Sequence, residues 1–261
     1  MKASYRKRLF QLFLNIDFIW ALSKKEFKNK YSGSKLGVWW ALILPLVLAF
    51  SINMVFTKVF KVSIPNYTLF VLSAILPWIF FSQSLSEATN SFINSSSILK
   101  QRAFPKEIVP ISSILGNFLN FVLGLAVIMP LFILFNCKIL LFVPLLIILL
   151  IFFLFFLLGL GLIFSLINVF YRDISCFLSL GLMLWFWVTP VFYSLEMVPY
   201  PYRIIGLVNP LSYFMVNFRD VLFYGHIDLY MILTNGFISL LFYLGGYYIF
   251  LRGERELSKR L

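Results

Sequence analysis

Residues 139–170 read ILLFVPLLIILLIFFLFFLLGLGLIFSLINVF and contain no charged side chain. A helix needs about 20 predominantly apolar residues to cross the hydrocarbon of a bilayer, and this stretch exceeds that length. Five further stretches meet the same test and also lack charged residues: 36–56, 67–85, 108–135, 174–194 and 229–251. The sequence therefore predicts an all-α integral membrane protein with six transmembrane helices.

The composition of the whole chain agrees with a membrane protein. Of its 261 residues 61% are hydrophobic and only 12% are charged, whereas soluble domains carry roughly 25% charged residues. The formal net charge of +12 is compatible with nucleic acid or with an anionic membrane surface. Because the apolar content requires a bilayer, we assign the positive charge to membrane topology and exclude nucleic acid as a partner.

The placement of Lys and Arg sets the orientation. With six spans and both termini on one face, that face holds all of the 22 Lys and Arg except Lys58, Lys61, Lys138, Arg203 and Arg219. Cytoplasmic segments of membrane proteins carry the excess of positive residues. Both termini are therefore predicted to be cytoplasmic.

Residues 9–22 form an apolar stretch that is too short to span. Asn15 and Asp17 interrupt it, and basic residues flank it on both sides. This pattern is typical of an amphipathic helix that lies in the membrane interface. We therefore divide the chain into a cytoplasmic amphipathic region, 1–35, and a transmembrane domain, 36–261.

Residues 204–223 are also apolar, but Asn209-Pro210 breaks them and Arg219-Asp220 adds charge. A seventh span here would place the basic C-terminal tail outside, against the positive-inside rule. The segment is predicted to form short re-entrant helices on the outer side, within 195–228.

The chain offers little chemistry of its own. His226 is the only histidine, and Cys137 and Cys176 lie far apart, so neither a metal site nor a catalytic residue is predicted. The predicted spans hold no charged group to bind a coupling ion, and no phosphate loop is present. A transporter of this kind needs a separate ATPase subunit, and that subunit would bind ATP and Mg²⁺.

Residues 86–107 read SEATNSFINSSSILKQRAFPKE and form the only sizeable predicted connection on the cytoplasmic face. Apolar residues recur in it near helical spacing until Pro105 stops the pattern. We predict an ATPase-docking helix that uses Glu87, Phe92, Leu99, Lys100 and Arg102; the alternative is a solvated loop.

Five short motifs occur along the chain: residues 25–40, which read KEFKNKYSGSKLGVWW, followed by Pro45-Leu46; Phe104-Pro105-Lys106-Glu107-Ile108-Val109-Pro110; Phe170-Tyr171-Arg172-Asp173; Thr189-Pro190-Val191-Phe192-Tyr193; and Asn209-Pro210-Leu211. In this order the chain resembles the permease subunits of type-2 ABC exporters, in the branch that exports lipid-linked polysaccharides such as O antigen and teichoic acid. One departure is Asn29-Lys30, where that family often has arginine before the tyrosine.

The resemblance implies a homodimer in the bacterial inner membrane, paired with two cytosolic ABC ATPase subunits. It also implies that the N-terminal amphipathic helix lies at a cytoplasmic gate and that 86–103 carries the coupling helix. The helices within 195–228 would then cap the exit.

Aromatic side chains are candidates for the path of a polysaccharide, because sugar rings stack on aromatic faces. We predict that a cluster near the outer end of the fifth predicted span faces two tryptophans of the first span and lines the channel: Trp185, Phe186, Trp187, Phe192 and Tyr193 with Trp39 and Trp40. The alternative is an interfacial aromatic belt.

Basic residues near the N-terminus are candidates for binding the diphosphate headgroup of the lipid carrier. This predicted gate consists of Arg6, Arg8, Lys24, Lys25, Lys28, Lys30 and Tyr31. The alternative is that the same charges serve only to orient the protein in the membrane.

Two other functions remain open on the sequence. One is a type-2 permease for a drug, haem or a simple lipid. The other is an integral membrane enzyme acting on lipid-linked sugars, which would need acids, bases or metal ligands at one membrane face. The carboxylates near the ends of the predicted spans have no histidine at a useful spacing, so the enzyme is the weaker alternative.

Overall fold

A computed structural model describes residues 11–95 and 104–260, and the regular structure in these ranges is helical. The helices have these bounds: α1 Ile16–Tyr31, α2 Trp40–Asn53, α3 Tyr67–Asn94, α4 Ile108–Phe135, α5 Ile139–Phe170, α6 Ile174–Val188, α7 Arg203–Val208, α8 Pro210–Arg219 and α9 Leu229–Arg260. A 3₁₀ turn, Gly37–Trp39, precedes α2, and π-helical segments follow α2 (Met54–Val59) and α8 (Asp220–Tyr224).

Within the described residues, five helical segments are long and apolar enough to cross a membrane: Gly37–Val59, Tyr67–Asn94, Ile108–Phe135, Ile139–Phe170 and Leu229–Glu254. They coincide with five of the six predicted spans, and the bounds predicted for α4 and α5 are those observed. The protein is therefore a multi-pass membrane protein.

The remaining predicted span, 174–194, is only partly helical. Helix α6 has 15 residues, which give about 22 Å against a hydrocarbon thickness of about 30 Å. It ends at Val188 because Pro190 disfavours helical geometry at Thr189, whose backbone is extended. The structure thus has five long spans and one short apolar helix, and a sixth complete span is not confirmed.

The helix bundle has an inner end and an outer end. The inner end is the one where α3 ends at Asn94 and α4 begins at Ile108. The outer end is the one where α4 ends at Phe135 and α5 begins at Ile139. The predicted topology would place the inner end at the cytoplasm.

Helix α3 is the central element of the bundle. Its most apolar 18-residue window is 72% buried, against 28% or less in the other four spans. Ser73 and Thr89 are buried in it and donate hydrogen bonds to the carbonyls of Phe70 and Leu85, which satisfies their hydroxyls inside the core. The helix also continues to Asn94, so the first part of the predicted connection 86–107 belongs to α3 and is not a separate segment.

Helices α5 and α9 pack at backbone contact distance. A Cβ atom placed on Gly246 would lie 2.2 Å from the carbonyl oxygen of Gly159, and one on Gly159 would lie 2.2 Å from the carbonyl oxygen of Phe242. Only glycine permits this approach, because any side chain at either position would occupy the space of the other helix. The glycines thus determine how closely the two helices pack.

Helix α1 packs across α4 near the inner end. A Cβ on Gly116 of α4 would lie 3.1 Å from the carbonyl oxygen of Ser23, and Leu22 and Ser23 are buried. Ile16 and Trp20, nearer the start of the same helix, are exposed. The amphipathic character predicted for this helix, and its position in the membrane interface, stay predictions.

Candidate functional site

A polar network at the inner end connects α1 to α3 and α4. We call it the inner cluster, and it consists of Lys30, Tyr31, Gln83, Glu87, Asn117 and Asn120. The Nζ atom of Lys30 lies 3.0 Å from Oε1 of Glu87, and Asn117 donates a 2.6 Å hydrogen bond to Oε2 of the same carboxylate. Lys30 also donates to Asn117, and Tyr31 donates to Asn120.

The inner cluster anchors the last turn of α1. The Lys30–Glu87 pair is partly exposed, with side-chain exposures of 19% and 42%, and exposed pairs contribute roughly 1 kcal/mol or less. Asn117 adds connectivity, because it bonds both members of the pair. The motif containing Lys30 and Tyr31 is therefore held against two membrane-spanning helices.

The predicted headgroup gate divides into two groups. Lys24, Lys25 and Lys28 are exposed on α1, with Nζ of Lys24 5.0 Å from the centre of the Trp20 ring. Lys30 and Tyr31 instead point into the inner cluster. Arg6 and Arg8 lie outside the described residues.

Glu26 lies on α1 beside this region. Burial raises the pKa of Glu26, and the nearby Glu87 raises it further, whereas Lys25 and Lys30 lower it. Two carboxylates, Glu26 and Glu87, thus accompany the basic residues at the inner end.

The predicted docking residues do not form one exposed surface. Glu87 belongs to the inner cluster, and Phe92 is fully buried, with its ring 6.2 Å from that of Phe250. Phe92 is buried in a cluster that also contains Val109, Leu162 and Phe250, so it is not exposed for docking. Glu87 is partly exposed, and its role in docking stays a prediction. Leu99, Lys100 and Arg102 lie outside the described residues.

At the other side of the molecule, α7 and α8 form a helical hairpin whose turn is at Asn209. The Asn209 side chain accepts hydrogen bonds from Nε1 of Trp185 (2.9 Å) and from the backbone N–H of Leu211 (3.1 Å). It donates to Oγ1 of Thr189 at 3.0 Å. The motif at Asn209 thus caps α8 and joins it to the motif that begins at Thr189.

The hairpin reaches halfway into the bundle. The ring of Phe214 on α8 lies 4.9 Å from Phe153 and 5.1 Å from Phe156, both near the middle of α5. The chain then returns to the outer end, where Phe223 stacks on Phe135 at 5.3 Å. This is the path expected of a re-entrant hairpin, and its position relative to the membrane stays a prediction.

Aromatic residues from the last turn of α6 and from the segment after it come together at the outer end; we call Phe186, Trp187, Phe192 and Tyr193 the outer cluster. The ring of Phe192 lies 5.6 Å from Phe186, 5.3 Å from Trp187 and 5.2 Å from Tyr193. Phe192 is buried, whereas the Trp187 side chain is 58% exposed. Trp185 lies deeper, bonded to the turn of the hairpin.

The two tryptophans of the first span do not face this cluster. Trp40 lies at the inner end, beside Lys30 and Tyr31, and Trp39 precedes it. The residue of this span that contacts the outer cluster is Phe56, 5.1 Å from Phe192, and about 25 Å of helix separates it from Trp39. The predicted juxtaposition is wrong because the two motifs begin at opposite ends of the bundle.

Arg219 is the residue that the sequence reasoning missed. It is 3% exposed, lies 4.0 Å above the Phe70 ring, and donates to the carbonyls of Pro190 and Val191, at 2.7 Å each, and of Tyr193 at 3.2 Å. The chain is not helical there, so these carbonyls lack helical partners, and a guanidinium has enough donors for all three. An arginine at the end of the otherwise apolar α8 was the available signal.

The fold defines a polytopic membrane protein, with a polar cluster at one end of the helix bundle and a helical hairpin at the other. The family model of the ABC-2 type transporters matches residues 17–223. The chain therefore belongs to the ABC-2 type transporter family.

Among its relatives are proteins named O-antigen export system permease protein RfbA. The chain is 32% identical to one from Klebsiella pneumoniae over 233 residues, covering 88% of this chain and 86% of the relative. It is 31% identical to one from Myxococcus xanthus over 212 residues, covering 79% and 80%. The resemblance noted in the sequence is thus confirmed.

Proposed function

We propose that the protein is the membrane-spanning subunit of an ATP-driven exporter that moves lipid-linked, O-antigen-like polysaccharide out of the cytoplasm. A homodimer forms the channel, and two cytosolic ABC ATPase subunits drive it. The observation that carries the proposal is the similarity to O-antigen export permeases over most of both chains. The inner membrane of a bacterium is the proposed location, with both termini in the cytoplasm.

The two clusters suit the two ends of such a path. The inner cluster holds α1, which carries exposed basic residues suited to the phosphate groups of a lipid carrier. The outer cluster presents Trp187 at an exposed position, where its ring could stack on a sugar. The ATPase binds to the segment that contains Leu99, Lys100 and Arg102.

Deletion of the gene, followed by complementation, tests the proposed substrate. The expected result is loss of the surface polysaccharide, accumulation of the lipid-linked polymer inside the cell, and recovery of export with the wild-type protein. A strain that keeps its surface polymer but loses resistance to a drug would instead support a permease for another substrate.

The aromatic path is tested by Trp187→Ala, with Tyr200→Ala as the matched control. Tyr200 is also an exposed aromatic residue of the outer side, but it lies outside the cluster. We expect export to fall several-fold in Trp187→Ala and to stay unchanged in Tyr200→Ala at equal abundance. Equal export by both variants would remove Trp187 from the path.

A further inference from the structure

A cavity of about 280 Å³ opens beside the inner cluster, between α1, α2, α3 and α4. We call it the inner cavity. Its polar and aromatic lining comes from Lys30, Tyr31, Trp40, Gln83, Glu87 and Asn120, and apolar side chains such as Leu44 and Ile79 complete its walls. Apolar walls with a few convergent polar groups are the usual construction of a small-ligand site.

The functional groups in the inner cavity match those that a sugar ring needs. Each sugar hydroxyl both donates and accepts; the amides of Gln83 and Asn120 offer both functions, and the carboxylate of Glu87 accepts. The NH₂ group of Gln83 donates no hydrogen bond within the described part of the chain, so it is available to a ligand. Trp40 contributes an aromatic ring of the kind on which the C–H face of a sugar stacks.

The charge of the inner cavity favours a neutral ligand. Lys30 is the cation in its lining, and it is paired with Glu87 at 3.0 Å. A phosphate entering the cavity would have to compete with this carboxylate for the ammonium group and would be repelled by it. Hydroxyl groups can bond to the pair without separating it.

An apolar groove adjoins the inner cavity. The groove has a volume of about 260 Å³, is lined by residues that include Val38, Leu42 and Val127, and shares Ala41 with the cavity. Among the described residues, the lining of the groove carries no charged and no amide side chain, so it offers few partners for sugar hydroxyls. The groove is therefore an apolar neighbour against which binding in the cavity can be compared.

We propose that the inner cavity binds a sugar unit of the lipid-linked substrate. The inference rests on the proposed function and adds to it a defined site for the saccharide. Gln83, Glu87 and Asn120 bind the hydroxyls, and Trp40 provides the stacking surface.

Photo-crosslinking at two matched positions of the first span tests this assignment. Leu44 lines the inner cavity and Val38 lines the groove, and their side chains are 47% and 45% exposed. The photoreactive residue p-benzoylphenylalanine replaces each in turn, in the full exporter complex of cells that make the polymer. After irradiation, the permease is purified under denaturing conditions and probed for attached glycan.

We expect glycan on the Leu44 variant at least fivefold above that on the Val38 variant. Adding Gln83→Leu to the Leu44 variant should lower the signal about fivefold, as expected for one lost hydrogen bond, whereas adding Ser82→Ala should not. Ser82 lies on the same helix, and its hydroxyl bonds the carbonyl of Ile79.

Each variant is also tested for rescue of export in the deletion strain. If the wild-type protein restores export but the glycan signal is absent at position 44 or equal at both positions, the sugar site is refuted and the proposed function stands. If the wild-type protein does not restore export, the proposed function itself fails. Should the Leu44 variant not rescue, p-benzoylphenylalanine in place of Ile79, another wall of the cavity, decides by the same criterion.

Discussion

Replacing Gly246 by alanine should separate helices α5 and α9. The new Cβ would lie 2.2 Å from the carbonyl oxygen of Gly159 and 2.8 Å from its Cα, whereas non-bonded heavy atoms prefer roughly 3.5 Å. Both of these are backbone atoms, so no rotamer change can relieve the clash. The two helices must move apart by about 1 Å, which disturbs packing along both.

The size of the effect follows from two opposing contributions. Overpacking of this kind costs about 1–3 kcal/mol, and alanine recovers up to about 1 kcal/mol of helix propensity over glycine. The neighbouring Gly245 has no atom within 4 Å of its built Cβ, so Gly245→Ala has only the favourable contribution. We expect the two variants to differ by roughly 2 kcal/mol, with Gly246→Ala the less stable.

Thermal unfolding of the purified protein in lipid nanodiscs, followed by tryptophan fluorescence, measures this difference. The melting temperature of Gly246→Ala should fall by several degrees, and that of Gly245→Ala should stay the same or rise. Equal melting temperatures for the two variants would refute the close packing of α5 on α9.

Three more predictions concern α1 and the outer hairpin. Gly116→Ala should loosen α1 and increase hydrogen exchange in residues 16–31, whereas Gly181→Ala, which meets no atom within 4 Å, should not. Arg219→Met should destabilise the protein by roughly 3 kcal/mol in thermal unfolding, because three buried carbonyls lose a charged donor; Arg219→Lys should recover only part of this. Burial raises the pKa of Asp220 to about 6, so the folded state retains a proton that the unfolded chain has released. Melting temperature should therefore fall as the pH rises from about 4 through 6, and Asp220→Asn should remove this dependence, while an unchanged pH profile would contradict it.

Hydropathy was sufficient to predict most of the helices. The bounds of α4 and α5 follow directly from uninterrupted apolar stretches, because a bilayer requires such lengths. Hydropathy did not predict the end of α6, because the residues after Val188 are apolar but not helical. The signal for this end is Pro190, which disfavours helical geometry at Thr189.

The sites were harder to predict because they depend on tertiary contacts. Phe186, Trp187 and Phe192 lie together because they are close in sequence, while their place in a channel stays a prediction. The packing of helices that are distant in sequence determines two other features. It places Trp39 and Trp40 at the inner end of the bundle, and it buries Phe92 against Phe250. Arg219 was predicted to lie in the outer re-entrant segment, and only the path of the hairpin shows that it bonds the carbonyls after α6.

Reconstitution tests the central claim most directly. The protein and its ABC ATPase are inserted into proteoliposomes that carry lipid-linked polysaccharide from the same strain, and polymer that becomes accessible on the opposite face is measured. The proposed function predicts transfer that requires ATP, both subunits and the lipid-linked polymer. Transfer without the ATPase, or ATP hydrolysis with no movement of polymer, would contradict it.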